Sequence, residues 1–361
     1  MLIMTFQPLG SYLWRLSING MSFPEIYVSK PGVCFPEERF DNAKVIDRIL
    51  ENYRGDAKAW PNLKAAVERV FEKCNTQVRY LDFDPGSRLA GYAAKAARQC
   101  LAANHVSLDE VDLVIFGGIA REYFEPATAM EVSSLLGLKE VHAFDVTTAC
   151  VGHLEAIQVA SGYLAIHPEY RTALVCTAEL ARDFLSFDVQ STADLHDKAA
   201  GLTIGNAASC VLVRRTPFKD GSVRLVSMDT FSLPAHWHLC QVPIKGTFTS
   251  SSTALMKLHS KIAPRLKTVF KKLGWKPGDV DHFVFHQPSE TMTKKILKRI
   301  GADPARGIYT HHLYGNNASA TVGVVFEQLL KERVLQAGDK LMFGSAASGF
   351  TMGVAAGKWV C

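Results

Sequence analysis

The two halves of this 361-residue chain resemble each other. Glu110–Phe116 (EVDLVIF) and Asp279–Phe285 (DVDHFVF) are similar apolar segments, and each follows an amphipathic helical stretch and a turn. The offset between them is 279 − 110 = 169 residues. The same offset of 169 carries Cys150 onto Ser319, each at the start of a predicted helix. Such self-similarity predicts an internal duplication, in which each half supplies a sheet and a central helix.

Short apolar segments alternate with helical segments along the chain. The predicted strands are 112–116, 143–146, 173–176, 209–213, 282–285 and 340–343. The predicted helices are 90–103, 150–166, 253–273, 290–300 and 318–334. The offset of 169 also carries Cys176, in one predicted strand, onto Ser345 at the end of another. The alternation predicts an α/β fold of stacked sheets and helices.

This layout divides the chain into a short extension and two halves. Residues 1–20 precede Met21, which could be the natural start, so they are either an upstream extension or an ordered arm. Residues 21–215 form the predicted half that contains Cys150, and residues 216–361 form the other half. Because the carboxyl ends of parallel strands and the N-termini of buried helices meet at one edge of a sheet, functional side chains of both halves should converge on one cleft.

The bulk composition argues against several classes of function. With 48% hydrophobic and 21% charged residues the chain is an ordinary globular one, and no apolar run approaches the ~18–20 residues of a membrane span. Eight cysteines without a CxxC pair or a secretory signal indicate a reducing cytoplasm. A net charge of +5 without a dense basic stripe disfavours nucleic-acid binding and suits an acidic protein partner. Without a P-loop or a dinucleotide fingerprint, no nucleotide cofactor is expected.

Cys150 is the candidate nucleophile. It lies where a predicted strand, ending at Phe144–Val146, gives way to the predicted helix 150–166. A helix N-terminus carries partial positive charge and free N–H groups, both of which favour a thiolate over a thiol. An isolated cysteine is more often a buried packing residue, and Cys100 and Cys210 fit that role. The position of Cys150 at the junction instead predicts a reactive thiol.

Two polar residues of the second half are candidate helpers of Cys150. His286 follows the predicted strand 282–285, and Asn316 stands just before a predicted helix. Asn316 alone could be a helix N-cap. A cysteine nucleophile with two hydrogen-bond donors can, however, stabilise an enolate or an oxyanion. The turn Gly344–Gly353 could add backbone N–H donors to the same site.

Four segments together resemble the ketoacyl-ACP synthase III branch of the thiolase superfamily. They are Asp-Val-Thr-Thr-Ala-Cys at 145–150, His-Gln-Pro at 286–288, Gly-Asn-Asn-Ala-Ser-Ala at 315–320 and Ser-Gly-Phe-Thr-Met-Gly at 348–353. Their order and spacing match that branch from about Phe23 to the C-terminus.

The resemblance implies a thiolase fold, a five-layer αβαβα arrangement of two duplicated halves, in a homodimer. It implies a catalytic triad of Cys150, His286 and Asn316, with an oxyanion hole from the backbone N–H groups of Cys150 and Ser348. The substrates would be thioesters of CoA or of an acyl carrier protein, with no metal or other cofactor. The usual run of three glycines is replaced by Ala347 and Ser348 before a glycine, which changes the local turn geometry but keeps a backbone donor.

Glu125 distinguishes two kinds of condensation. Ordinary members of this branch condense the acyl group on the cysteine with malonyl-ACP, whose loss of CO2 makes the carbanion. They have an apolar residue at the site that Glu125 occupies here, 150 − 125 = 25 residues before Cys150. The glutamate resembles the head-to-head condensing enzymes, such as olefin-pathway thiolase homologues, pyrone-forming ketosynthases and those that make cyclohexanediones and dialkylresorcinols. In those enzymes the glutamate crosses the dimer interface and acts as a base.

A condensation without decarboxylation needs such a base. It must remove a proton α to a thioester carbonyl, and an apolar tunnel brings the pKa of a carboxylate closer to working pH. We therefore expect the acyl group on Cys150 to undergo Claisen condensation with a second acyl thioester, of which a β-ketoacyl thioester is the easier substrate. The alternatives are decarboxylative chain initiation with an incidental, surface-exposed Glu125, an ester-forming acyltransferase, and a non-enzymatic subunit that stabilises another ketosynthase.

Glu155 lies on the predicted helix after Cys150 and is expected to be buried, where a carboxylate is rarely unpaired. Arg121 is the candidate partner in a buried salt bridge. Alternatively, Glu155 is a second acid or base that assists ring closure to a cyclohexane-1,3-dione or resorcinol precursor, or to a pyrone.

The helix after His286 has a basic face. It consists of Lys294, Lys295, Lys298 and Arg299. This face could dock a carrier protein or its phosphopantetheine arm, although most charge runs are solvated helix faces.

His236, His238 and Cys240 alternate along a predicted strand and are chemically able to bind zinc. Because a fourth spaced ligand is missing, packing or tunnel lining is favoured, and no metal site is predicted.

Overall fold

The computed structural model describes residues 25–361, so the predicted extension, residues 1–20, and residues 21–24 lie outside the described part of the chain. The strands are β1 Tyr27–Val28, β2 Gly32–Cys34, β3 Arg39–Asp41, β4 Val78–Tyr80, β5 Val111–Gly117, β6 His142–Val146, β7 Thr172–Glu179, β8 Ala207–Arg214, β9 Ser222–Ser232, β10 Cys240–Gln241, β11 Thr249–Ser250, β12 His282–Phe285, β13 Lys340–Ala347 and β14 Thr351–Val360. The α-helices are α1 Asn42–Asn52, α2 Trp60–Cys74, α3 Leu89–Ala103, α4 Thr128–Leu136, α5 Gly152–Ile166, α6 Thr192–Lys198, α7 Ser252–Leu258, α8 Ile262–Leu273, α9 Glu290–Ile300, α10 His311–Tyr314 and α11 Thr321–Glu332.

Each half of the described chain contributes a mixed sheet of similar arrangement, although only the first has a further strand, β6, outside its β5. In the first half β5 runs parallel to β6 and β7, and β8 is antiparallel to β7. In the second half β12 runs parallel to β13, while β14 is antiparallel to both β13 and β9. The short strand β1 pairs with β8 and with β9, so the hydrogen bonding continues from one sheet to the other.

The helices complete five layers around these sheets. One apolar cluster lies between the sheets and is formed by α5, α11 and the facing strands, with Leu154, Val322 and Phe326 at its centre. A second cluster lies under α3 and α4 on the outer face of the first sheet, and a third lies under α8 and α9 on the outer face of the second. The fold is therefore the predicted five-layer αβαβα arrangement.

The internal duplication is confirmed by features that repeat at the predicted offset of 169 residues. A 3-10 turn precedes β5 at Leu108–Glu110 and another precedes β12 at Pro277–Asp279. The 3-10 turn before α5, Ala149–Val151, corresponds in the same way to Ala318–Ala320 before α11. Both the strands that lead towards the cleft and the central helices are thus duplicated.

One correspondence predicted from the sequence is wrong by a residue. Leu113 of β5 pairs with Ala173, and His282 of β12 pairs with Leu341, so β7 and β13 are offset by 341 − 173 = 168 rather than 169. The extra residue of the first half lies between the turn that precedes α5 and strand β7, because the turns before the two central helices still match at 169. Because a one-residue shift turns a strand side chain to the opposite face, Cys176 packs in the outer cluster while Ser345 faces the central layer.

The predicted helix 253–273 is two helices. A 3-10 turn, His259–Lys261, separates α7 from α8. Pro264 lies in the first turn of α8, where its missing N–H costs nothing, whereas in the middle of one long helix its ring would clash with the preceding turn.

One stretch of the described chain, Ala149–Ile166, has the 18-residue length and the apolar composition of a membrane-spanning helix, contrary to the expectation that no run approaches that length. Half of that stretch is buried within the protein, where α5 forms part of the central layer. An apolar core helix between two sheets meets the same criteria of length and composition.

Candidate active site

Cys150 lies on the 3-10 turn Ala149–Val151 that joins β6 to α5. Small residues let the turn approach the ends of two strands. A Cβ atom on Gly117 of β5 would lie 2.4 Å from the carbonyl oxygen of Gly152, and a Cβ on Gly353 of β14 would lie 2.7 Å from a methyl group of Val151. Side chains at these positions would displace the turn, so the glycines fix the backbone of Cys150.

Strand β13 brings Cys150 and His286 to one place. The Ser345 hydroxyl donates a hydrogen bond of 2.7 Å to the carbonyl oxygen of Cys150. The backbone N–H of His286 donates to the carbonyl oxygen of Gly344, also at 2.7 Å. Because Gly344 and Ser345 are consecutive, the candidate nucleophile and the candidate histidine are held at neighbouring points of the same strand end.

His286 and Asn316 are in direct contact. Nε2 of His286 lies 3.0 Å from Oδ1 of Asn316, and the backbone N–H of Ala318 donates to the same oxygen at 3.0 Å. The Asn316 backbone is itself fixed by hydrogen bonds with Thr203 at 2.8 Å and Gly205 at 3.0 Å. Asn316 therefore caps the turn that leads to α11, in agreement with the interpretation of this residue as a helix N-cap. It also belongs to the cleft. With Oδ1 occupied, its amide nitrogen is the atom available to donate to a ligand.

His286 is neutral at pH 7. Burial lowers its pKa to about 4, and the bond to Asn316 offsets this effect only in part. Since Oδ1 of Asn316 can only accept, the neutral ring donates to it through Nε2. The pair suits hydrogen bonding to an oxygen that becomes negative better than it suits binding a permanent anion.

The pKa of Cys150 moves in the direction opposite to the one expected from a helix N-terminus. Burial raises the pKa of the thiol well above its ordinary value, and the neighbouring Cys240 and Glu179 raise it further. The free N–H groups of the turn oppose these effects without reversing them. The resting nucleophile is therefore a thiol, and its proton must leave as it attacks.

The turn after β13 lies beside the nucleophile. Ser348 begins a 3-10 turn, Ser348–Phe350, in which Gly349 has φ of 73° and Phe350 has φ of 51°. The Ser348 hydroxyl donates to the sulfur of Cys240 at 3.2 Å. The oxyanion hole from the backbone N–H groups of Cys150 and Ser348 stays a prediction.

Glu125 is exposed on the β5–α4 loop, residues 118–127. Within the described part of the chain it forms no ion pair and no side-chain hydrogen bond. Its neighbour Phe124 is 79% exposed, and Tyr123 is also largely exposed. In a single subunit, then, a carboxylate and two aromatic rings project outwards from this loop.

The rest of the β5–α4 loop is firmly attached to the protein. At its start, the carboxylate of Glu179 accepts hydrogen bonds from the first N–H groups of the loop. In its middle, Arg88 forms an ion pair with Glu122 at 3.3 Å and donates to the Tyr123 hydroxyl at 3.0 Å. At its end, Asp145 accepts from the first two N–H groups of α4, at 2.8 and 2.9 Å. The tip that carries Glu125 is thus presented by a fixed frame.

Models of the two halves of one enzyme family match this chain. Residues 144–233 match "3-Oxoacyl-[acyl-carrier-protein (ACP)] synthase III", and residues 270–359 match its C-terminal model. Both matched regions contain elements of the cleft. The chain is a member of the 3-oxoacyl-ACP synthase III family of the thiolase superfamily.

Individual relatives of this synthase III-like chain fall into two kinds. A beta-ketoacyl-[acyl-carrier-protein] synthase III from Chlamydia muridarum is 26% identical over 276 residues, covering 72% of this chain and 81% of the relative. An acyl-CoA:acyl-CoA alkyltransferase from Xanthomonas campestris pv. campestris is 28% identical over 289 residues, covering 77% and 84%. A crystal structure of a variant of OleA from Xanthomonas campestris has a TM-score of 0.84 at 23% identity, covering 94% of this chain and 99% of that one, which shows a shared fold.

The predicted ion pair between Glu155 and Arg121 is not formed. Glu155 is half-buried on the side of α5 that faces β9, where the Thr230 hydroxyl donates to it at 3.2 Å. Arg121 lies on the exposed β5–α4 loop and donates to the hydroxyl of Thr147. The two charges bind different residues, so a role of Glu155 in ring closure has to be argued without Arg121.

The basic face of α9 is smaller than predicted. Lys294 forms an ion pair with Glu290 and lies over the ring of Tyr309 at 4.8 Å, so its charge is neutralised. The exposed members are Lys295, Lys298 and Arg299.

His236 and His238 lie on a 3-10 turn, Pro234–Leu239, rather than on a strand, because the proline begins a turn there. Cys240 follows this turn as the first residue of β10. Among the described residues, no three histidine, cysteine or acidic side chains are grouped so that they could hold a metal ion.

Glu179 was not predicted from the sequence. It is the last residue of β7, is 1% exposed, and lies close enough to Cys150 to raise the pKa of that thiol. The signal that identified His286, a polar residue at the carboxyl end of an apolar strand, would also have identified Glu179.

Proposed function

We propose that this synthase III-like chain is an acyltransferase that forms a C–C bond between two acyl thioesters head to head, without decarboxylation. The observation that carries the proposal is the fixed display of Glu125 at the tip of the β5–α4 loop, together with the convergence of Cys150, His286 and Asn316. A decarboxylating enzyme has no use for a base at that tip, because loss of CO2 generates its carbanion.

The reaction has two parts. The Cys150 sulfur attacks the carbonyl carbon of the first acyl thioester, and CoA or carrier-protein thiol leaves with a proton. Glu125 then takes an α-proton from the second thioester, whose carbonyl oxygen becomes an enolate held by the Asn316 amide and by the Nε2–H of His286, which turns to this oxygen from Oδ1 of Asn316. The enolate carbon attacks the acyl group on Cys150, and the cysteine sulfur leaves. The product is a β-keto thioester, or a 2-acyl-3-oxo thioester if the second substrate is already a β-ketoacyl thioester.

Glu125 acts in the cleft of a second subunit in this proposal. Strand β6 is the last strand of its sheet, and its outer edge carries no partner strand within the described chain. The side chains of Phe144 and Tyr163 are half-buried beside this edge. The loop that carries the exposed Phe124 contacts Thr147, directly after this strand, through Arg121. An unpaired edge strand flanked by apolar side chains is a natural surface for pairing two copies of a chain. The proposed enzyme is accordingly a cytoplasmic homodimer with two sites.

Relatives of both kinds bear on the choice of donor. The Xanthomonas relative is named for joining two acyl-CoA molecules, as proposed here, whereas the Chlamydia relative fits the alternative of a malonyl-ACP donor. The presence of Glu125 favours the reaction between two acyl thioesters without a malonyl donor. The exposed basic residues of α9 suit docking of an acidic carrier protein or of the CoA phosphates. Ring closure after condensation, assisted by Glu155, stays a hypothesis, and an unchanged product profile in Glu155→Gln would refute it.

The proposal is tested by incubating the enzyme with an acyl-CoA and a β-ketoacyl thioester in the absence of any malonyl donor. We expect a condensed product by mass spectrometry with the wild type, none with Cys150→Ala, and a loss of about 100-fold or more with Glu125→Ala. Product formation that requires malonyl-ACP and survives Glu125→Ala would establish the decarboxylative alternative.

A further inference from the structure

Glu179 is a buried carboxylate with an unusual set of partners. The backbone N–H groups of Ile119 and Ala120 lie 3.0 and 3.5 Å from its two oxygens, and the Ser319 hydroxyl also donates to it. It forms no salt bridge with any described residue. A carboxylate is an acceptor at both oxygens, so it can receive all three donors at once, which a neutral amide cannot do. The pocket is therefore shaped for an anion.

The donors belong to two parts of the active site. Ile119 and Ala120 are the second and third residues of the β5–α4 loop, whose tip carries Glu125. Ser319 belongs to the turn at the start of α11, three residues after Asn316. Ser319 is also the counterpart of Cys150 at the offset of 169, so the second half uses the position of the nucleophile to hold this carboxylate. One side chain thus connects the loop of the proposed base to the turn that carries the enolate-binding amide.

The location of Glu179 is unfavourable for the first part of the reaction. Its charge raises the pKa of Cys150 and so lowers the fraction of reactive thiolate. Burial also raises the pKa of Glu179 itself, to about 7, although its hydrogen bonds partly restore the charged form. Glu179 opposes acyl loading, and its burial is energetically unfavourable, so its benefit must lie in another step of the reaction. Its hydrogen bonds connect it to the loop that carries Glu125.

We propose that Glu179 is a positioning residue for the condensation step: it fixes the start of the β5–α4 loop so that Glu125 reaches the α-proton in the facing subunit. The inference rests on the proposed role of Glu125 as a base. Glu179 touches no reacting atom in this account. Glu179 instead sets the distance between the Glu125 carboxylate and the α-proton of the second thioester. A displacement of that carboxylate by about 1 Å can lower the rate about 100-fold.

Variants of Glu179 separate this role from a general contribution to folding. Glu179→Gln keeps the size of the side chain and can still accept from Ile119 and Ser319, but its amide nitrogen would face the N–H of Ala120. Glu179→Ala loses all three bonds. An exposed carboxylate on α2, replaced in Glu68→Gln, is the matched control.

Two rates are measured for each variant: single-turnover transfer of a radiolabelled acyl group to the protein, and condensation with an α-deuterated second thioester. We expect kcat for condensation and the loss of deuterium to fall about 10-fold in Glu179→Gln and about 100-fold in Glu179→Ala. Acyl loading should be unchanged or faster in both variants, and the KM for the second thioester should stay within about twofold of wild type. Glu68→Gln should match the wild type.

The proposal is overturned if loading and condensation fall in the same proportion, since that is the result of a merely structural role, or if condensation is unaffected in Glu179→Gln and Glu179→Ala. If Glu179→Ala does not fold, Glu179→Gln decides the question. Failure of the proposed function is recognised separately. If Glu125→Ala condenses normally, the base is wrong, whereas loss of condensation in Glu125→Ala with normal Glu179 variants refutes only the role of Glu179.

Discussion

Ala149 and Ala318, which are 318 − 149 = 169 positions apart, have almost the same left-handed backbone conformation, with φ of 48° and 46°. Each precedes the residue that the central helix of its half presents at the cleft, Cys150 in one and Ser319 in the other. An L-residue in this region costs about 1–2 kcal/mol relative to the right-handed one. The fold repeats the strained turn in both halves, although only the first half places a nucleophile on it.

Glycine substitutions at these two positions should have similar effects on stability and different effects on activity. Ala318→Gly is expected to raise the free energy of unfolding by up to about 1 kcal/mol, because relief of the strain exceeds the added flexibility of the unfolded chain. Ala149→Gly should gain a similar amount but slow acyl loading, because the turn that holds Cys150 becomes flexible. Denaturant unfolding and single-turnover labelling check both. A destabilised Ala318→Gly would show that the conformation is not strained.

The reactivity of Cys150 should depend steeply on pH. Burial, with Cys240 and Glu179 nearby, raises the pKa of its thiol well above the ordinary value, so the thiolate fraction grows about tenfold per pH unit across the neutral range. We expect the rate of alkylation by iodoacetamide, followed on the Cys150 peptide by mass spectrometry, to increase beyond about pH 9. At any one pH, Glu179→Gln should react faster because a nearby negative charge is removed. A plateau below about pH 8 would contradict the raised pKa.

His153 should make the protein less stable in acid. It is buried in α5, its Nε2 has no partner among the described residues, and it borders an apolar cavity of about 20 Å³. Burial lowers its pKa to about 4 from an ordinary 6.5. Between these values the unfolded chain binds a proton that the folded protein does not, so stability falls as the pH decreases from 6.5 to 4.

His153→Leu removes this proton uptake while keeping the size of the side chain. Its advantage in unfolding free energy over the wild type should grow as the pH falls below 6.5, by up to about 1.4 kcal/mol per unit. Thermal or denaturant unfolding at several pH values provides the measurement. Parallel stability curves for the two proteins across this range would rule out a depressed pKa at His153.

The sequence predicted those parts of the site that depend on the ends of single elements. Cys150 and His286 each follow a short apolar strand, and Asn316 precedes a helix. The hydrophobic pattern of the sequence shows where each strand ends and where the helix begins, and so locates these three residues. The duplication was predicted for the same reason, since βα units of equal length preserve an offset. One extra residue between the turn before α5 and strand β7 leaves no trace in the apolar pattern, which is why the match of Cys176 with Ser345 was wrong.

Interactions between distant parts of the chain were not predictable in this way. The partners of Glu179 include two backbone N–H groups, which no side-chain pattern records. Glu155 was assigned to Arg121 by charge alone, but its direction on α5 points it to Thr230. Strands β9 and β14 were absent from the predicted set, since β14 carries small residues on both faces instead of a strong alternation.

The most direct test of the account is subunit complementation between Cys150→Ala and Glu125→Ala. Cys150→Ala alone should form no condensed product, and Glu125→Ala alone should retain about 1% of wild-type activity or less. If Glu125 acts across a two-fold dimer, a heterodimer has one complete site, in which Cys150 of one subunit faces Glu125 of the other. An equal mixture after subunit exchange then contains half heterodimers and should recover about a quarter of wild-type condensation, without any malonyl donor. A mixture that contains heterodimers by native mass spectrometry and still makes no product would contradict the central claim.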